Sequence, residues 1–239
     1  MNIIIKAFRY LAPLLKPRVF FATLFFNFYY LPFRQAIRLP IWILSPSFYK
    51  NGGAVILDSQ VVRPGMIRLG FWGAHMYPNN GIYWMHEGKI TFKGKCRICN
   101  NSYIITGDKG DIVFGEDFMA SPVKIISYIG ISFGKQNLVG WDVVIMDTGF
   151  HPLYDIEKKK FKRAYGRIKI GDNNWFGSQC SIMHSVVTPE HCIFGMRSVV
   201  TRGGNYESYC VHGGSPIRVL TRGVKRIIGQ DMITEYTDD

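Results

Sequence analysis

Ile168 to Gly203 reads in blocks of six: IKIGDN, NWFGSQ, CSIMHS, VVTPEH, CIFGMR, SVVTRG. The third position of each block is Ile170, Phe176, Ile182, Thr188, Phe194 and Val200, large and apolar in five of the six. The first position is Ile168, Asn174, Cys180, Val186, Cys192 and Ser198, mostly small or β-branched. Gly171, Gly177 and Gly195 follow the large residue. Neither a helix nor an isolated hairpin has this period. A triangular coil does, with three short strands and three corners per turn. Residues two apart on a strand point to one side. One large and one small inward side chain per strand therefore fill a narrow prism. Gly or Asn at a corner is expected to supply the positive φ of a sharp bend. One coil cannot bury its face alone, so coils stack.

The same grammar extends upstream. ISFGKQ, NLVGWD and VVIMDT (131–148) place Phe133, Val139 and Ile145 in the large position. IVFGED and FMASPV carry it more weakly, and ITFKGK, CRICNN and SYIITG (90–107) place Phe92, Ile98 and Ile104 in register. The pattern also accounts for cysteines. Cys96 and Cys99 form a C-x-x-C, but no second pair stands at zinc-ligand spacing, and Cys96, Cys180 and Cys192 fall on the small inward position. No metal is expected, and Cys210 lies beyond the regular blocks. Five cysteines in 239 residues do not read as a secreted disulfide framework.

The first 50 residues lie outside the repeat. Phe20 to Ile43 reads as one or two helices broken near Pro32 and Pro40. The expected organisation is a helical segment over 1–52, a coil over 53–216 and a short C-terminal helix with a polar tail over 217–239. Net charge is +12, and no Asp or Glu precedes Asp58. Such a basic chain seeks phosphates, anionic membrane or acidic substrates. No nucleic-acid module is recognisable. The apolar stretch Val19–Phe33 contains Asn27 and Pro32 and is shorter than the roughly 20 residues that span a bilayer. No secretory signal opens the chain, so a cytoplasmic protein is expected. Two readings of the basic, aromatic residues 1–50 stay open: an interfacial segment on the inner face of the membrane, or a helix packed on the first coil or at a subunit interface.

The period breaks after VVIMDT. Gly149 to Arg167 form a loop that carries Phe150, His151, Pro152 and the run Lys158, Lys159, Lys160, Lys162, Arg163 and Arg167. A loop thrown from a rigid scaffold is where functional residues concentrate. MDTGFHP, IKIGDNNWFGS, SVVTRG and GGSPIRV follow in the order found in the hexapeptide-repeat acyltransferases, and the chain resembles that family, including the maltose and galactoside O-acetyltransferases and those linked to bacterial surface-glycan synthesis. The resemblance implies an all-β, left-handed parallel β-helix. It implies a homotrimer with active sites between neighbouring coils, and an acetyl-CoA-dependent O-acetyltransferase acting on a sugar hydroxyl of a surface polysaccharide or glycan precursor.

In the family the loop histidine, matched here by His151, takes the proton from the acceptor hydroxyl. The chemistry agrees, because a sugar hydroxyl is a weak nucleophile and imidazole titrates near neutrality. Asp147, Asp155 and Glu157 are candidates to orient it, Asp147 foremost. By position, Trp175 is expected to pack on pantetheine and Thr201 in SVVTRG to offer its backbone. Met196 and Arg197 stand where the family has Gly-Ala. Gly214, Ser215 and Pro216 match the turn near adenine, and Arg202, Arg218 and Arg222 could meet CoA phosphates. His184, at a corner, reads as structural, His191 and His212 as surface. His75 and His86 are weaker candidates for an active-site contact. His184 and His191 have the wrong spacing for the zinc-binding carbonic anhydrases that share this coil. N-acetylation of an amino sugar and a non-catalytic scaffold remain the alternatives.

Overall fold

The computed structural model describes residues 12–71, 73 and 76–230. Its strands form three parallel sheets, each built from successive turns of one coil. The first face runs through Ile41–Ile43, Ile67–Phe71, Cys96–Cys99, Phe118–Ala120, Leu138–Val139, Trp175–Phe176 and Cys192–Phe194. The second runs through Pro46–Asn51, Ile82–His86, Ser102–Thr106, Val123–Ser127, Val143–Met146, Ser181–Ile182 and Val199–Val200. The third runs from Ala54–Leu57 to Val187–Thr188. This is the parallel β-helix expected from the period of six, and the left hand is that of the relatives described below.

The inward register is the one read from the blocks. Ile170, Phe176, Ile182, Thr188, Phe194 and Val200 are all buried, as are Ile168, Asn174, Cys180, Val186, Cys192 and Ser198. Because each coil repeats the last one strand spacing higher, equivalent side chains stack. Phe92, Phe114 and Phe133 form one column with centroids 5.2 and 5.7 Å apart, and Phe176 lies on Phe194 at 4.7 Å with an interplanar angle of 2°. Such contacts add to area burial. Polar positions stack too. The Asn174 carboxamide accepts from Cys192 N–H and donates to Thr188, while Asn174 N–H donates to Asn137.

The glycine rule needs correction. Positive φ falls two residues after each glycine, at Gln136, Asp142, Asn173, Gln179 and Arg197. Gly134, Gly140, Gly171, Gly177 and Gly195 do not have it. In four of them, all but Gly195, space is what demands glycine. A Cβ on Gly171 would sit 2.5 Å from Pro189 carbonyl atoms, and one on Gly177 would sit 2.8 Å from Met196 N.

Two boundaries also differ. The first coil begins at Ile41, ahead of the expected residue 53, because the wholly buried IWI strand pairs with Ile67–Leu69. Before it come helix α1 (Pro17–Tyr30) and the single turn α2 (Phe33–Ala36), separated near Pro32 as expected. At the other end, Arg218–Arg222 is a strand where a helix was expected. It runs antiparallel to Cys210–Gly213, the last strand added to the first face, and so occupies an edge that would otherwise be open. Residues 231–239 of the expected tail lie outside the described residues.

Candidate active site

The interruption leaves the coil at the corner between the second and third faces, after Val143–Met146 and before Ile168–Ile170. Its stem is zipped by backbone bonds: Gly166 N–H to Asp147 O (2.9 Å), Gly149 N–H to Ala164 O (2.6 Å) and a bridge between Thr148 and Tyr165. Its outer part is a small hairpin, Tyr154–Asp155 against Lys160–Phe161. The loop is therefore an arm of fixed geometry.

His151 sits exposed at the root of this arm. The preceding Phe150 has φ +57°, a conformation uncommon for a bulky side chain, and is held there by edge-on packing against Tyr128 at 5.1 Å and by its N–H donating to Thr148 Oγ1. The next amide, His151 N–H, closes a tight turn onto Gly149 O at 2.6 Å. Backbone strain that the surroundings enforce is a feature of functional loops.

Asp147 does not orient His151. Its carboxylate is buried and accepts from Ser127 Oγ (2.8 Å) and from the backbone N–H groups of Tyr128 (2.8 Å), Ile129 (2.9 Å) and Gly130 (2.6 Å). All its capacity goes to the corner of the coil below, so it rivets the foot of the arm. Asp155 is engaged within the hairpin, 3.4 Å from Lys162 and accepting from Lys158 N–H. Glu157 lies exposed beyond it. Among the described residues no side-chain hydrogen bond holds the His151 ring.

The arm leans over the next two coils. Ile145, Ile182 and Val200 are in register, so the corner residues after them, Asp147, His184 and Arg202, form a column along the coil axis. Between arm and column lies a cleft of about 780 Å³. One wall is Lys158, Lys160, Phe161, Lys162 and Arg163; the other is Met183, His184, Thr201, Arg202 and Gly203. Five cations face one acid, Asp155. Periodicity places His184 at a corner, but only the arm's return over the coil shows that this corner is a cleft wall.

The other expected site residues divide. Thr201 and Arg202 line the cleft. Trp175 is exposed on the first face, between Leu138 and Ile193. Met196, Arg197 and the Gly214–Pro216 turn adjoin at the end of the coil, where Val199 N–H reaches Gly214 O at 3.4 Å and Arg197 binds Gln179 at 2.7 Å. Arg218 is exposed beside them. Arg222 pairs with Glu207 at 3.0 Å, which raises the guanidinium and lowers the carboxyl, so it is not a bare phosphate ligand here.

His86 is a core residue rather than a site residue. It is buried, with Thr106 Oγ1 2.8 Å from Nδ1 and Ala54 O 3.0 Å from Nε2, and burial lowers its pKa. His212, expected at the surface, is likewise buried, stacked on Phe194 and shifted down by burial. His191 is half-buried and stacked on Tyr209. His75 lies outside the described residues.

Comparison with known proteins gives the same fold. No family model matches the chain. An uncharacterized 24.8 kDa protein in the cps region of Klebsiella pneumoniae is 30% identical over 150 residues; the match covers 63% of this chain and 66%, just under two thirds, of that protein's length. Among solved structures, the polySia specific acetyltransferase NeuO is similar with a TM-score of 0.52 and 20% identity, over 79% of this chain and 91% of that one. The polysialic acid O-acetyltransferase OatWY is similar with a TM-score of 0.50 and 17% identity, over 81% and 92%.

Proposed function

We propose that this chain, which has the left-handed β-helix fold of hexapeptide-repeat acetyltransferases, is an acetyl-CoA-dependent O-acetyltransferase of a sugar or glycan, with His151 as general base. The observation that carries the reading is the arm: the coil is interrupted after Met146, at a riveted stem, by a loop whose root bears His151 next to the positive-φ Phe150 and whose hairpin walls a basic cleft, which His151 itself does not line. A scaffold protein has no need of that device. In support, the two solved structures reported above are named as acetyltransferases of polysialic acid, and the Klebsiella relative is named for a cps region.

In the proposed reaction the neutral His151 imidazole removes the acceptor hydroxyl proton as the oxygen attacks the thioester carbonyl. The C–O bond forms, the C–S bond breaks, and the leaving thiolate takes the proton from the His151 imidazolium, so CoA departs as the thiol and the base is restored. No covalent enzyme intermediate is needed, because the thioester is already activated. Thr201 and Arg202 are assigned to the donor, with Trp175, Met196, Arg197, Gly214, Ser215 and Pro216 as its further contacts. The cations of the cleft suit phosphates or carboxylates. With no side-chain hydrogen bond to it among the described residues, the His151 ring is proposed to be completed by a neighbouring copy in a homotrimer. A cytoplasmic location fits the acetyl-CoA pool.

The test is release of free CoA from acetyl-CoA across a panel of neutral, amino and carboxylated sugars, for wild type and His151→Ala. Loss of a general base is expected to lower turnover by about 10² to 10⁴, with CoA binding retained. Unchanged turnover would remove His151 from the chemistry. A wild type that neither binds CoA nor turns it over would favour the scaffold, and a product formed only on amino sugars would favour N-acetylation.

A further inference from the structure

Helix α1 carries apolar side chains on every side, with Arg18 in its first turn and Thr23 and Asn27 on its packed face. Val19, Thr23, Phe26 and Asn27 pack on the open end of the first coil. The opposite stripe, Phe21, Phe25 and Phe28, has the i, i+4, i+7 spacing of a single helix face and is 65%, 45% and 49% exposed. Leu15, Phe33 and Ile37 extend it at 66%, 71% and 54%. A helix that is hydrophobic all round belongs in a core or against lipid, and a patch of this kind marks an interaction surface. With 14 residues α1 is about 21 Å long, too short to cross a hydrocarbon core of about 30 Å, and no helix among the described residues is long and apolar enough to cross a membrane.

The charges around the stripe identify what covers it. Lys16 and Arg18 flank one end and Arg34 and Arg38 the other, all exposed. Among the described residues none of the four forms an ion pair, and the chain has no acidic residue before Asp58. A two-fold contact between copies of this face would set these cations against each other, because such a contact repeats the same patch on both sides; a three-fold contact, as in the proposed homotrimer, is the alternative that sedimentation reads below. An anionic bilayer surface offers phosphates to the cations and an acyl boundary to the phenyl rings.

We infer that α1 is an interfacial anchor that sets the end of the coil on an anionic membrane, with Phe21, Phe25 and Phe28 in the headgroup–acyl boundary and Lys16, Arg18, Arg34 and Arg38 on lipid phosphates. This stands independently of the acetyl-transfer reading. It would place the cleft, several coils above the anchor, at a set height over the lipid.

The experiment is co-sedimentation of the full chain with phosphatidylcholine vesicles, alone and with 30 mol% phosphatidylglycerol on the order of physiological salt. Wild type is expected to pellet with the anionic vesicles and to be released by salt. Phe21→Ser/Phe25→Ser/Phe28→Ser is expected to weaken binding about tenfold or more, and Arg34→Ala about fivefold. Circular dichroism checks that these exposed substitutions leave the fold intact. Sedimentation velocity without lipid reads the alternative. If the triple variant loses oligomeric mass while wild type ignores vesicles, the stripe is an interface between copies and the proposal fails. Equal pelleting of wild type and triple variant, or none by wild type, also overturns it. Acetyl transfer to a soluble acceptor should be the same for both proteins, which separates this failure from a failure of the proposed activity.

Discussion

Asp147 accepts one hydroxyl and three consecutive amides, and each of those donors is buried or half-buried. Asp147→Asn keeps the shape but turns a donor toward donors. Leaving a buried group unsatisfied costs about 1–3 kcal/mol, so a clear drop in Tm is expected, with a fall in turnover as the foot of the arm loosens. A variant as stable as wild type would show that the rivet carries little. Sequence marks Asp147, with Asp155, as an acid four residues from His151, and for Asp147 that proximity misleads. Its partners come from Tyr128–Gly130 on the coil below. A period of six says that coils stack but not which turn a corner carboxylate will bind. His151 is singled out in the sequence because it stands in the loop that interrupts the repeat after Thr148.

At the scale of the element, the hexad was legible because one large and one small buried position recur without gaps from Ile168 to Val200. The first coils were not, because a bulge between Leu69 and Phe71 and another between Phe48 and Lys50 break the count. The glycine positions were right and their reason wrong: close approach of stacked corners rather than positive φ. Gly177→Ala separates the two explanations. Its Cβ would meet Phe194 O and Met196 N at 2.8 Å, both backbone. Overpacking of this kind costs about 1–3 kcal/mol. Gly203, with nothing within 4 Å, is the control, and Gly203→Ala should change stability by no more than about 0.5 kcal/mol. Chemical denaturation of the pair gives the comparison, and equal midpoints would refute the packing account.

The whole molecule is a stack with two ends, and stacks need caps. Arg218–Arg222 closes one. At the other, Asn27 substitutes for a missing coil: its side-chain oxygen accepts from Ile41 N–H at 3.1 Å and its nitrogen donates to Ile41 O at 2.6 Å, while Thr23 Oγ1 accepts from Ile43 N–H at 3.2 Å. In the sequence Asn27 reads only as a blemish in an apolar run, since the strand it pairs with begins 14 residues later. Asn27→Ala strands two buried backbone groups and is expected to lower the unfolding free energy by about 2–5 kcal/mol. Asn27→Asp keeps the acceptor but buries an unpaired charge and should fare no better. Wild-type stability in either variant would mean that α1 does not cap the coil through this amide. The charge asymmetry was legible from the absence of acids before Asp58; the stripe beside it needed the helix placed on the coil.

All five cysteines are buried and free, and burial pushes the thiols of Cys96, Cys99 and Cys180 up and that of Cys192 to about 12. The thiolate is the reactive form, so the folded protein offers almost nothing to a chromogenic disulfide reagent. If the proposed acetyl transfer takes place, colour developed in the reagent's presence counts coenzyme set free, turnover by turnover, against a low background. In the absence of substrate the same reagent becomes a clock for the coil itself, because a thiol can answer only when its turn of the stack has opened.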